Sequence, residues 1–109
     1  MVVALYARSA TIRQNEPDLA ILDQMRQLRD YCKLHGYVLA KEYIDAGFSG
    51  MHDNRPEFQQ MISDATADSS PFEAIIVFDH YRFFRNMNEL SNYERILNNK
   101  GCKLISIMD

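Results

Sequence analysis

The sequence predicts an α/β fold: a single three-layer domain with a mainly parallel four-stranded sheet and helices on both faces. Three observations predict it. Short apolar runs rich in β-branched and aromatic residues alternate with longer segments whose apolar residues recur every three or four positions. The run Ala74-Ile75-Ile76-Val77 is apolar without interruption, as in a strand covered on both faces. The chain has 109 residues, which suits one core and leaves no room for two.

Val2-Val3-Ala4-Leu5-Tyr6-Ala7 reads as a buried first strand. Thr11–Pro17 is polar and contains proline, so it reads as a loop, and Asp18 is placed to cap the helix that follows. Ile21, Met25, Leu28 and Cys32 share one face of that helix. Lys33 and His35 fall in its last turn, and Gly36 ends it. Tyr37–Ile44 reads as the second strand and Asp45–Asn54 as a loop. Asn54 and Glu57 have capping-box spacing, with Pro56 in the first turn, so a helix follows with Phe58, Met61, Ile62 and Ala65 as its apolar face. Asp68-Ser69-Ser70-Pro71 breaks it. Phe72–Phe78 is the third strand and Asp79–Asn88 a polar and aromatic loop. Glu89–Lys100 is a helix with Leu90, Tyr93, Ile96 and Leu97 on one face. Gly101 stops it before a last strand at Leu104-Ile105-Ser106-Ile107.

Composition narrows the function classes. With 47% hydrophobic and 25% charged residues, wholesale disorder is excluded. No apolar run approaches the roughly 18 residues of a membrane span, and Met1–Ala7 is too short for a signal peptide. Two cysteines, Cys32 and Cys102, make no disulfide framework and lack metal spacing, as in a reduced, cytosolic compartment. A net charge of −3 argues against a free-standing nucleic-acid binder but allows a local basic site.

In such folds function gathers at the carboxyl ends of the strands. Those ends carry Arg8, Ser9, Thr11, Arg13 and Gln14; then Asp45, Ser49 and Arg55; then Asp79, His80, Tyr81, Arg82 and Arg85. Arg8, Arg55, Arg82 and Arg85 can therefore meet at one edge. Guanidinium groups match phosphate oxygens and stay charged at any working pH. Arginines beside a hydroxyl fit phosphoryl transfer, in which the hydroxyl attacks and the arginines stabilise the added charge. There is no metal-ligand cluster and no Walker-type glycine loop, so no metal or cofactor is expected and arginine supplies the electrostatics.

Three blocks of the chain resemble the resolvase/invertase family of serine recombinases. Tyr6-Ala7-Arg8-Ser9-Ala10-Thr11 with Gln14 is similar to the family's opening Tyr-x-Arg-x-Ser-[Ser/Thr]-x-x-Gln. Asp45-Ala46-Gly47-Phe48-Ser49-Gly50 and Asn54-Arg55-Pro56 are similar to its second block, and Arg82-Phe83-Phe84-Arg85-Asn86 to its Arg-x-x-Arg-Asn block. Gln24 falls where the family often has a glutamine. The resemblance implies a catalytic domain that cuts double-stranded DNA with a serine hydroxyl and rejoins it through a 5′-phosphoserine intermediate, without metal or ATP. It assigns the phosphate to Arg8, Arg55, Arg82 and Arg85, with Gln14, Gln24, Asp45, Ser49 and Asp79 in support. It also implies a bacterial, phage or mobile-element source and a homodimer or synaptic tetramer. Residues 1–109 are then expected to be a fragment preceding a long dimerisation helix and a DNA-recognition region. The pattern departs at two positions. Ala10 stands at the usual nucleophile position, which makes Ser9 the candidate nucleophile, and Tyr81 stands where the family commonly has aspartate.

Plainer readings stand beside these. Ser9 and Thr11 also fit turn hydroxyls, and the arginines fit a surface ion-paired with Asp45, Asp53 and Asp79. Phe83 and Phe84 fit packing of a loop onto the core better than DNA contact. Gly47, Ser49 and Gly50 fit turn geometry. Ala10 and Tyr81 together fit an inactive assembly or DNA-architecture module with the same fold. A phosphoacceptor receiver domain would use Asp79, but it needs an acidic pair after the first strand, where this chain has Arg8 and Ser9.

Overall fold

The first strand, β1 (Val2–Ser9), lies inside the sheet, with buried residues from Val3 to Ser9. The structure is a computed structural model that describes residues 1–10 and 17–109. The expected loop at 11–16, with Thr11, Arg13 and Gln14, lies outside the described residues. After β1 come α1 (Pro17–His35), β2 (Val38–Ala46), α2 (Pro56–Ala65), β3 (Ala74–Val77), α3 (His80–Phe83), α4 (Met87–Asn99) and β4 (Lys103–Ser106).

The strand order is β2-β1-β3-β4, and every pairing is parallel. Right-handed crossovers then dictate the layers. The chain leaves β1 in one direction to reach β2. It returns past β1 to β3 in the other direction, so α2 must lie on the face opposite α1. The step from β3 to β4 continues that way, which puts α4 beside α2.

The core divides accordingly. Val3, Leu5, Ala7, Ala74 and Ile76 pack with Ile21, Met25, Leu28 and Cys32 of α1. Ala4, Tyr6, Tyr43, Ile75 and Val77 pack with Phe58, Met61 and Ala65 of α2, Phe83 of α3 and Leu90 and Leu97 of α4. Odd and even residues of β1 thus face opposite layers, as a pleated strand requires.

Element boundaries differ from the sequence expectation where hydrogen bonds decide them. α1 begins at Pro17, so Asp18 lies inside its first turn. β2 extends through Asp45 and Ala46 because both pair with β1. α4 begins at Met87, where Asn86 accepts from the Asn88 and Glu89 N–H groups. A single helical turn, α3, interrupts the expected loop. Its four residues are too few to show a period, and Asp79 caps it by accepting from Arg82 N.

At the edge of this core, the hydroxyl of Tyr43 of β2 donates to Asp64 of α2 at 2.5 Å, and Lys41 reaches the same carboxylate at 3.0 Å. Burial raises the Tyr43 phenol above its usual value of 10.0, and the Asp64 charge adds to this. A raised folded-state value favours the neutral phenol. Its contribution to stability is complete below the unfolded value and declines as pH rises above it. Stability measured by chemical denaturation should therefore fall as pH passes 10, and in Tyr43→Phe that decline should be shallower.

Candidate functional site

β1 pairs with β2 on one side and β3 on the other, and the chain's direction of travel reverses between them. The crevice at their carboxyl ends is the topological switch point, where α/β sheets bind ligands. β1 runs further than β3. Its last partner on that side is Tyr6↔Val77, so Arg8 has no strand there. The buried Gln24 of α1 fills the gap, accepting from Arg8 N at 3.3 Å and donating to Arg8 O at 3.0 Å.

The arginine side chains converge on α3. Arg8 donates from Nε to Arg82 O at 3.1 Å, from Nη2 to Tyr81 O at 3.2 Å and from Nη1 to Phe48 O at 3.0 Å. Arg55 donates from Nη1 to the same Arg82 O at 3.3 Å and from Nε to His52 O at 2.9 Å. A helix of one turn leaves its last carbonyls without intrahelical partners, and here arginine supplies the donors.

Arg55 is wholly buried. Its guanidinium lies 4.1 Å from the Phe58 ring centroid and 4.9 Å from that of Phe84, and its Nη2 has no acceptor among the described residues. Arg8 is 3% exposed. Burial, and then the Arg55 charge, lower its pKa from the ordinary arginine value. Among the described residues neither Arg8 nor Arg55 has a carboxylate within ion-pair distance. Uncompensated interior charge is costly unless a partner arrives, so the arrangement favours an anion. Arg82 and Arg85 form the rim. Arg82 is half-buried and bonds Asp79 at 2.6 Å, with its Nε unpartnered among the described residues; Arg85 is exposed.

Asp45 organises the layer beneath. Its Oδ2 accepts from the Tyr6 hydroxyl at 2.8 Å and from Phe58 N at 2.9 Å, and its Oδ1 accepts from Glu57 N at 3.0 Å. The capping box expected from Asn54 is therefore not formed. The N-cap residue of α2 is Arg55, whose side chain caps nothing, and Asp45 satisfies the helix amides from the neighbouring strand. The Tyr6 hydroxyl also accepts from Arg55 Nη1 at 3.1 Å, and burial holds the phenol protonated.

The four predicted arginines thus come to one edge, with Asp45, Asp79 and Gln24 as their supports. Ser49 is exposed, and its Oγ accepts from Met51 N. Gln14 lies outside the described residues. Ser9 pairs with Ala46 in regular register, and its carbonyl accepts from Gly47 and Phe48 N–H groups. Strand alternation sets it on the α1 face, opposite Arg8. Ala10 is exposed just beyond the strand. Phe83 and Phe84 are buried, as the packing reading held.

Sequence reasoning assigned no support role to Tyr6, although it opens the first motif, and it missed the acceptor carbonyls, which leave no trace in side-chain identity. It also read Gly50 only as a turn residue. Gly47 has a positive φ of 83°, but Gly50 is needed for space: a Cβ there would lie 2.8 Å from Arg8 Nη2 and 3.0 Å from Arg85 Cγ.

Two outcomes follow for urea unfolding. Gly50→Ala should cost about 1–3 kcal/mol, because Arg8 is pinned by three carbonyls and cannot yield to the methyl. Asp45→Ala should cost about 3 kcal/mol, because two helix amides and a buried hydroxyl lose their acceptor, with Asp45→Asn between it and the parent.

The model of the resolvase N-terminal domain family matches residues 3–109. The fold is shared with the N-terminal catalytic domain of TP901-1 integrase at a TM-score of 0.90 and 28% identity, over 98% of this chain and 78% of that one. A resolvase family site-specific recombinase from Streptococcus pneumoniae matches at 0.84 and 27% identity, over 98% of this chain and 72% of that one. The catalytic domain of ISC1926 TnpA, an IS607-like serine recombinase, matches in fold at 0.87 and 16% identity, over 100% of this chain and 69% of that one. No curated protein matches the chain.

Proposed function

Because the chain belongs to the resolvase N-terminal domain family, we propose that it is the catalytic part of a site-specific DNA recombinase. In this reading a DNA phosphate seats at the β1/β3 edge against Arg82 and Arg85, over the fixed charges of Arg8 and Arg55. One observation carries it: two deeply buried guanidinium groups, without carboxylate partners among the described residues, share the Arg82 carbonyl at the topological switch point.

The Ser9 hydroxyl is the nucleophile. Its oxygen forms a bond to phosphorus, the bond to the 3′-oxygen breaks, and the serine proton ends on that leaving oxygen. The product is a 5′-phosphoserine link and a free 3′-hydroxyl. A 3′-hydroxyl from the exchanged strand then attacks phosphorus and returns the serine. One phosphodiester replaces another, so no energy source is consumed. The arginines stabilise the charge that builds on the equatorial oxygens. Full recombination joins copies of the protein as a dimer and then a tetramer on DNA.

A second reading has its own support. From Ala4 onward β1 keeps regular register through Ser9, which sets that residue opposite Arg8, and the position two after Arg8 is Ala10. This favours a module that grips DNA phosphate without cutting it.

A randomised duplex library, with covalent complexes recovered under denaturing conditions, separates the two. On the first reading an adduct forms, maps to Ser9 and vanishes in Ser9→Ala. An adduct that survives Ser9→Ala overturns the assignment of the nucleophile. Binding that depends on Arg82 and Arg85 but yields no adduct favours the second reading. In that case Ala10→Ser, which returns a hydroxyl to the usual nucleophile position, should produce adducts.

A further inference from the structure

The rim of the site fixes its arginines in two different ways. Arg82 is held by a carboxylate: Asp79 accepts from its Nη1 at 2.6 Å, so its charge is locally cancelled. Arg85 has no carboxylate partner among the described residues. Its guanidinium lies 4.5 Å from the ring centroid of Tyr81, and the guanidinium of Arg8 lies 5.7 Å from the same ring. Tyr81 is half exposed, at 51%, so the ring links a buried guanidinium to an exposed one.

The difference has a physical consequence. An aromatic face attracts a cation through its quadrupole but carries no net charge. It limits the wandering of a long side chain without neutralising it. Two further contacts set the starting point of that side chain: Arg85 N donates to Gly50 O at 2.9 Å, and the Arg85 Cγ lies close over Gly50. An acidic residue at position 81 would form a second neutral pair and subtract one positive charge from the rim.

We propose that Tyr81 is a positioning residue that holds Arg85 over the site through its ring while leaving the guanidinium charge available to a DNA phosphate. The proposal rests on the reading of this edge as a DNA phosphate site. It assigns the aromatic ring, and not the hydroxyl, as the working part of the side chain.

The test has one arm without DNA and one with it. In the free protein, the Arg85 Nε–H resonance should be displaced upfield by the ring current. The displacement should vanish in Tyr81→Ala and persist in Tyr81→Phe. In the second arm, binding of a short mixed-sequence duplex is titrated over salt, where each phosphate contact contributes about 0.9 to the slope of log K against log salt. Tyr81→Asp should lower the slope by about one and weaken binding roughly tenfold at low salt. Tyr81→Ala should weaken binding about three- to tenfold with the slope retained, because the charge remains but is no longer held. Tyr81→Phe should restore both affinity and slope.

An unchanged slope in Tyr81→Asp, or a loss in Tyr81→Phe equal to that in Tyr81→Ala, overturns the proposal. So does an Arg85 resonance that is the same in the parent and in Tyr81→Ala. Failure of the parent to bind duplex at low salt instead overturns the phosphate reading, and the first arm still decides whether the ring holds Arg85.

Discussion

Two guanidinium groups share one carbonyl oxygen, that of Arg82, and the rest of the site is arranged around that meeting. A carbonyl oxygen has two lone pairs and accepts both donors. The arginines come from well-separated parts of the chain, one from β1 and one from the start of α2. Their common acceptor lies on a third segment, α3. The single turn of α3 is what leaves the oxygen available, since a longer helix would have used it internally. The interaction therefore fixes three segments relative to one another while concentrating like charge in a small volume.

That concentration needs compensation, and it comes from indirect sources. Carbonyl dipoles of Phe48, His52, Tyr81 and Arg82 surround the two groups. The Asp45 carboxylate is linked to Arg55 through the Tyr6 hydroxyl. Aromatic faces of Phe58 and Phe84 line the remainder of Arg55. Dipoles and rings stabilise a cation without matching it charge for charge. The interior arginines thus give the crevice a fixed positive potential that no carboxylate among the described residues pairs with directly, while the domain as a whole is acidic, with a net charge of −3.

Much of this was legible in the sequence, for definite reasons. Alternating strand and helix periods at Val2–Ala7, Ile21–Cys32 and Ala74–Val77 gave the layers, and the parallel-sheet rule then brought the polar loops together. The arginines were visible because their charge is conspicuous at strand ends. What stayed hidden was contact made by main chain or by absence. The carbonyls of Tyr81 and Arg82 have no side-chain signature. Gly50 looks like any turn glycine until Arg8 is packed against it. Asp45 looked like a loop residue, because an acid at the end of one strand capping a helix thirteen positions away is a tertiary event. Asn54 had the right spacing for a cap but lost to it. The direction of Ser9 depended on whether β1 stays regular to its end, a matter of register that no local pattern encodes.

The separation between Arg8 and the carbonyl it shares is 74 positions along the chain. Contacts of such range form late, because the loop they close must first be shortened by the strands and helices between. β1 pairs with β2 through a nearby crossover, but the crevice is complete only once β3 has docked and α3 has turned. A partly folded chain therefore holds its arginines apart and solvated. The cost of gathering their charge is deferred until most of the core is buried, and the ability to grip a phosphate appears together with the finished fold.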